Sequence, residues 1–151
     1  MSWTEVRVPA TSANLGPGFD ALGMALSIYL ECRFRPSEAL KIRAEGRDAE
    51  MISCGEDNLI WQTALQVAGH LGRPMPAIEL EIRNDIPIGK GLGSSAAALV
   101  AGVVIADEIL QLEWDRHRIL DEAARIEGHP DNVSAAVLGS IVASAIDSEG
   151  V

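Results

Sequence analysis

The sequence is short of the residue patterns that mark disulfide-stapled, membrane-spanning or nucleic-acid-binding proteins. Its 151 residues include two cysteines, Cys32 and Cys54, with no CxxC or His-Cys spacing. That argues against a disulfide framework and against a zinc site, and both read as reduced, partly buried thiols. Basic residues are scarce: twelve Lys and Arg face twenty-two Asp and Glu, for a net charge of −10. Such a balance repels nucleic acid and anionic membranes unless a basic patch compensates, and the sequence holds no such patch. The longest apolar run, Ala96 to Ala106, is far short of the ~20 residues of a membrane span. The opening "MSWTEVRVPATSANLG" lacks the basic-then-apolar layout of a signal peptide, so a cytoplasmic location is expected. No repeat, linker or low-complexity stretch is present.

What is there suffices for a real core: 48% of the residues are apolar, and the length fits one domain or the larger part of a two-domain protein. Val6 and Val8 alternate with polar neighbours as in a strand, as do Leu30, Cys32 and Phe34. "RPSEAL" reads as a turn into a further strand, "LKIRAEG". Ile60, Ala64, Val67, Ala68 and Leu71 share one helical face, with Asp57 or Asn58 as N-cap and Gly72 as the stop. Ile78, Leu80 and Ile82 form a strand buried on one face that runs into a glycine-rich loop. A buried helix is expected from Ser94 or Ser95 to about Leu110, and a second from about Asp115 to Glu127, ended by Gly128. Pro130 opens a short helix through Leu138, and "SIVASAI" reads as a closing strand.

The segment "IPIGKGLGSSAAALVAG", Ile86 to Gly102, packs four glycines and two serines between a strand and a long apolar run and into that run. Two familiar phosphate loops fail here. A Walker A loop needs Gly where Asn84 stands and Ser or Thr where Gly91 stands, and a dinucleotide fingerprint needs Gly in place of Ser94. What remains is a "PxGxGLGSSA" loop in which glycines let the backbone curl around an anion. Ser94 and Ser95 would serve as hydroxyl donors and caps at the helix start, and Ala96 to Ala98 would let the helix pack close behind the anion. A tight turn without a ligand is the alternative.

Three segments in order, "PATSANLGPGFDALGMAL", "IPIGKGLGSSAAALVAG" and "EGHPDNVSAAVLGS", resemble the motifs of the GHMP kinases in the versions carried by homoserine kinases. The resemblance implies an α+β fold, a mixed or antiparallel sheet packed with helices. It implies an N-terminal nucleotide-binding domain, expected over residues 1–151, and a C-terminal domain of similar size, of which this sequence shows no counterpart. The activity implied is ATP-dependent phosphorylation of the L-homoserine hydroxyl, with Mg²⁺, in threonine biosynthesis. Another small-alcohol kinase of the family, or a non-catalytic nucleotide-binding module, is the alternative. A homodimer is one possibility for its assembly.

By the same resemblance Pro87, Gly89, Lys90, Gly91, Leu92, Gly93, Ser94 and Ser95 would hold the ATP phosphates, with Ser95 also on Mg²⁺ and Asn58 facing the adenine, although an N-cap role explains Asn58 nearly as well. Asn14 and Asp20 would grip homoserine together with His129, and Asn132 would stand near the reacting hydroxyl. An amide is no general base, so Asn132 would act by alignment and the proton would leave to a phosphate oxygen or water. Homoserine kinases usually carry Glu four positions before this His; here that residue is Arg125. Glu127, or Glu122 one turn earlier, could take over as second metal ligand, or the metal could rest on Ser95, phosphates and water. An Arg125 facing the phosphates would instead neutralise their charge directly and lessen the demand for metal. His70, near a helix end, reads as a dipole partner.

Overall fold

A computed structural model describes residues 2–13, 15 and 21–151. In chain order the elements are β1 (Thr4–Ala13), β2 (Leu22–Pro36), β3 (Lys41–Gly46), a short 3-10 turn (Ala49–Met51), α1 (Leu59–His70), β4 (Ile78–Asn84), α2 (Ser94–Leu110), α3 (Arg116–Glu127), α4 (Pro130–Leu138) and β5 (Ile141–Ala143). The expected strands and helices all form. The closing strand is shorter than "SIVASAI" suggests, and the 3-10 turn leaves no period in the sequence to find. Of the two cysteines, Cys32 is buried as an inward strand residue, whereas Cys54 is exposed and not partly buried. Burial pushes the Cys32 thiol up to about 12, which leaves it inert near neutrality.

The sheet is mixed, in the order β1-β2-β4-β3, with β5 beside the start of β2. β2 is its spine. It pairs antiparallel with β1 along one edge, and on the other edge with β4 through residues 30–36 and with β5 through Leu22–Met24. β3 and β4 run parallel with α1 as the crossover between them, the connection that parallel neighbours require. Alternation sets the two faces. Val8, Leu30, Cys32, Phe34, Ile42, Ile78, Leu80 and Ile82 point into the core, while Glu5, Arg33 and Glu81 pair across the outer face.

α2 and α4 lie against β1 and β2, and α1 and α3 flank α2. α2 is buried on most sides, so its small residues are packing requirements: a Cβ at Gly102 would meet the Ile60 carbonyl oxygen at 2.6 Å and the Thr63 side chain. α4 seats as closely on the sheet, because a Cβ at Gly23 would run into the Asp131 carbonyl.

α1 and α3 are joined at one point by charge. Glu122 of α3 is fully buried and accepts from Arg125 at 2.5 Å, lies 3.1 Å from His70 at the end of α1, and is 3.6 Å from Arg118. Burial alone would push the Glu122 carboxyl up, but the hydrogen bonds from Arg125 and His70 outweigh it and hold the carboxyl below its ordinary 4.5. A carboxylate with a depressed folded value contributes stability above its unfolded pKa and loses it as pH falls through the folded value. Thermal melts should therefore show Glu122→Ala less stable than the parent by about 1–3 kcal/mol at pH 7, since both arginines can re-solvate. The gap should narrow as pH drops below about 4.5. Equal melting temperatures at pH 7 would mean that the cluster contributes nothing.

Candidate anion-binding site at the start of α2

The loop from Ile86 to Gly93 is tied down at three places. Asn84, buried at the end of β4, donates through Nδ2 to the carbonyls of Arg47 and Ile86 and accepts from the Ile86 N–H. Asp48 accepts from the Ile88 N–H at 3.0 Å. At the far end the Leu92 carbonyl accepts from the Thr11 N–H at 2.9 Å, so the loop docks on the free edge of β1. None of these three anchors was assigned a role from sequence. Asn84 could have been noticed as a polar residue at an inward strand position; Asp48 and Thr11 carried no such signal.

Between the anchors Gly89, Gly91 and Gly93 all take left-handed φ, 73°, 73° and 69°, a region open to glycine and costly to most other residues. Space at the three differs. A Cβ at Gly89 or Gly91 would meet nothing within 4 Å, whereas one at Gly93 would collide with the Thr11 hydroxyl and stand 3.2 Å from Asn132 Oδ1. Gly91 thus borders open space and Gly93 fills a packing position.

Gly93 is also the N-cap of α2, without a side-chain cap; this corrects the expectation that Ser94 or Ser95 caps the helix. They are its first two residues. The first intrahelical bond is from the Ala97 N–H to the Gly93 carbonyl, which leaves the N–H groups of Ser94, Ser95 and Ala96 as donors without helix partners. The first turn carries no acidic residue. By contrast α1 is capped by the Asn58 side chain and α3 by Asp115. An uncapped helix start with three donors, behind a bare glycine loop, is the arrangement that receives phosphate. Pro87 and Ile88 lead into this loop half-buried, and Lys90 is exposed on it.

Beside the loop lies a cleft of about 270 Å³ lined by Met51, Ile52, Asn58, Ile88, Ser94 and Ser95, among others. Asn58 sits in its wall, but its amide is committed to the fold: Oδ1 accepts from the Ile60 and Trp61 N–H groups and Nδ2 donates to the Ser53 carbonyl. A larger hollow of about 770 Å³ on the outer sheet face is walled by Glu5, Arg7, Glu31 and Arg33 and does not include the loop.

α4 brings its N-terminus to the same place. Asn132 Oδ1 accepts from the Thr11 hydroxyl at 2.6 Å, next to Gly93. Loop, β1 and α4 therefore converge on the start of α2. Asn14 and Asp20 lie outside the described residues. His129 is exposed and is the N-cap residue of α4. Burial pushes the Glu127 carboxyl up; the charge of His129 offsets part of the rise and that of Asp131 adds to it.

Arg125 is not among the residues that line the cleft beside the loop. It is spent on Glu122, which also binds His70 at the end of α1 opposite the cleft. That end is about 17 Å along the helix from Leu59. Glu122, buried and bonded by Arg125 and His70, is likewise removed from contention as a metal ligand. The helical spacing placed these residues on one element without saying which side they shared.

The model for the GHMP kinases N terminal domain matches residues 58–140, more than half of the chain. The chain belongs to the GHMP kinases. It is 69% identical over 150 residues to a homoserine kinase of Solibacter usitatus, covering 99% of this chain and 49% of that protein. The crystal structure of a homoserine kinase from Cytophaga hutchinsonii superposes with a TM-score of 0.79 at 31% identity, covering 99% of this chain and 50% of that one. A mevalonate kinase from Methanococcus jannaschii shares the fold, at TM-score 0.71 and 16% identity, over 93% of this chain and 52% of that one. The α+β fold expected of a GHMP kinase is the one observed. The chain spans about half the length of the curated relatives it matches.

The two glycines give a contrast that binding can read. Gly91→Ala places a methyl in open space at a backbone cost of about 1–2 kcal/mol. It should lower the melting temperature by only several degrees and weaken ATP in titration calorimetry by tenfold or more. Gly93→Val should instead lower the melting temperature sharply, because its side chain displaces Thr11. Unchanged ATP affinity in Gly91→Ala would show that the loop is only a turn.

Proposed function

We propose that this chain forms the nucleotide-binding half of an ATP-dependent kinase that phosphorylates the hydroxyl of L-homoserine to O-phospho-L-homoserine, a cytoplasmic step of threonine biosynthesis. The observation that carries the reading is the uncapped start of α2, with three free N–H donors behind left-handed glycines and Asn132 adjoining it. The names of the relatives supply the substrate.

Phosphoryl transfer asks a protein for placement and for charge complementary to the phosphates. The residues Pro87 to Ser95 supply both: backbone donors at the helix start, a hydroxyl at Ser95, and an exposed ammonium at Lys90. The cleft beside the loop takes the adenine by its apolar walls, Met51 and Ile52, with Asn58 shaping the wall and not bonding the base. Asn14, Asp20 and His129 hold the amino acid, the Asp20 carboxylate on its ammonium. Asn132 has its carbonyl oxygen engaged by Thr11, so what it offers is its NH₂ group, a donor. It aligns the acceptor hydroxyl or a transferring oxygen, and the proton leaves to phosphate or water.

The residues present fit Mg²⁺ as a nucleotide-borne ion. Among the described residues no three His, Cys, Asp or Glu side chains cluster to hold a metal alone, and Mg²⁺ bound through phosphates needs only one or two protein oxygens. Ser95 and Glu127 would supply these; the rise in the Glu127 carboxyl from burial and from Asp131 is what a neighbouring cation would relieve. Bound there, the ion would screen the phosphate charge.

The test is turnover by the full-length protein carrying this chain, with ATP and L-homoserine, followed by ADP release and by ³¹P NMR of the product. Transfer to mevalonate but not homoserine would favour another small-alcohol kinase, and ATP binding without any transfer would favour a non-catalytic module. Asp20→Asn should raise the homoserine KM about 10- to 100-fold, the loss of one charge-assisted hydrogen bond, and leave the ATP KM within a few-fold. A defect confined to ATP would make Asp20 a turn residue. Arg125→Ala should leave the Mg²⁺ concentration for half-maximal rate unchanged, because its partner is Glu122.

A further inference from the structure

Thr11 is fully buried although it sits near the end of the edge strand. Strict alternation from Val8 and Ala10, both core residues, would turn Thr11 to the opposite face. Two features account for its burial. The pairing of β1 with β2 shifts register between Pro9 and Thr11, and Leu92, Gly93 and Asn132 close over the residue. Its backbone N–H holds the Leu92 carbonyl at 2.9 Å, and its hydroxyl donates to Asn132 Oδ1 at 2.6 Å, a contact spanning 121 positions of sequence. One residue thus holds the phosphate loop by its backbone and α4 by its side chain.

We propose that Thr11 is the positioning residue for Asn132, a part that rests on the kinase reading above. The side-chain amide of Asn could present either its oxygen or its NH₂ to the site, and nothing in its shape chooses between them. The Thr11 hydroxyl favours one: it donates to Oδ1, and in the flipped orientation it would accept from the NH₂ group and leave its own buried proton to find another acceptor. The NH₂ group is then the end of the amide left to donate to an oxygen. Asn132 also has its backbone N–H bound to the Asp131 carboxylate at 2.8 Å, so its main chain is held as well as its amide. The absence of a Cβ at Gly93 belongs to the same device, because a methyl there would occupy the place of the Thr11 hydroxyl.

The experiment is steady-state kinetics of Thr11→Val, Thr11→Ser, Asn132→Ala and the Thr11→Val/Asn132→Ala double variant in the full-length protein. Valine keeps the shape and removes the donor; serine keeps the donor. Thr11→Val should lower kcat by roughly 10- to 100-fold, the scale of a misplaced reacting group, with the ATP KM within about twofold of the parent. Thr11→Ser should recover most of that rate. The double variant should be no slower than Asn132→Ala alone, because a positioning residue has no effect once its target is gone. Multiplying losses, equal kcat for valine and serine, or a loss confined to the ATP KM would each overturn the proposal. If Asn132→Ala keeps full kcat, or if homoserine is not phosphorylated, the kinase reading of Asn132 fails first and this proposal falls with it. Should Thr11→Val fail to fold, Thr11→Ala against Thr11→Ser carries the same comparison. In that case the chemical shifts of the Asn132 side-chain NH₂ group in a ¹⁵N spectrum, displaced from those of a solvated amide in the serine variant and returned toward them in the alanine variant, give a readout independent of rate.

Discussion

The start of α2 is the feature on which the remaining structure depends. A helix buried on most sides whose first three N–H groups lack helix partners leaves donors that something must satisfy. Among the described residues no side chain caps the helix, and its first turn carries no acidic residue. Every neighbouring element is arranged to keep the place open. Asn84 and Asp48 fix the entry of the loop, Thr11 fixes its exit, and three glycines allow the left-handed path between. An open helix terminus of this kind is stable because the tertiary packing of the rest of α2 outweighs the missing cap, which is worth about 1 kcal/mol.

The sheet provides the rigid reference. β2, paired on both edges along much of its length, is the one strand that touches three others. α4 is seated on it through Gly23. Asn132 therefore inherits its position from the sheet, as the loop does through β1. The two groups that the proposed reading brings to one ligand, the N–H donors of α2 and the Asn132 amide, are thus referred to adjacent strands of one sheet. Both are held by elements more rigid than loops.

Much of this was legible in the sequence because it rests on local rules. Alternation located β1 to β4, helical spacing with Asn58, Gly72, Asp115 and Gly128 located α1 and α3, and the glycine spacing located the loop. What was not legible depends on long-range register. Thr11 looks like an outward strand residue until the pairing of β1 slips at Pro9, and its partner lies 121 positions away. Asp48 acts through an N–H forty residues on. The expectation that Ser94 or Ser95 caps the helix fails for a related reason. Both are preferred N-cap types, but the cap is decided by backbone conformation, and the left-handed φ of Gly93 moves the helix start one residue earlier. Arg125 failed through geometry of another sort: helical phase can say that Glu122 and Arg125 share a face, but which neighbour that face meets is set by the packing of α3 beside α1.

That pairing bears on how the site handles charge. On the proposed reading a nucleoside triphosphate would bring about four negative charges to a chain whose own net charge is −10, and like charges at close range oppose binding unless neutralised locally. Of the cations near the loop among the described residues, Lys90 is exposed, where its effect is screened by solvent. The start of α2 adds the equivalent of about half a charge. Had Arg125 faced the phosphates, it would have supplied a further full charge and left less for a metal to do. Its engagement with the buried Glu122 removes that option. On the proposed kinase reading the deficit would fall on an ion carried in with the nucleotide, and the Glu127 carboxyl, raised chiefly by burial, would be relieved by a cation beside it. Arg125 accordingly serves to staple α3 to α1 through Glu122 and His70, and on the kinase reading it would take no share of the phosphate charge from a divalent cation.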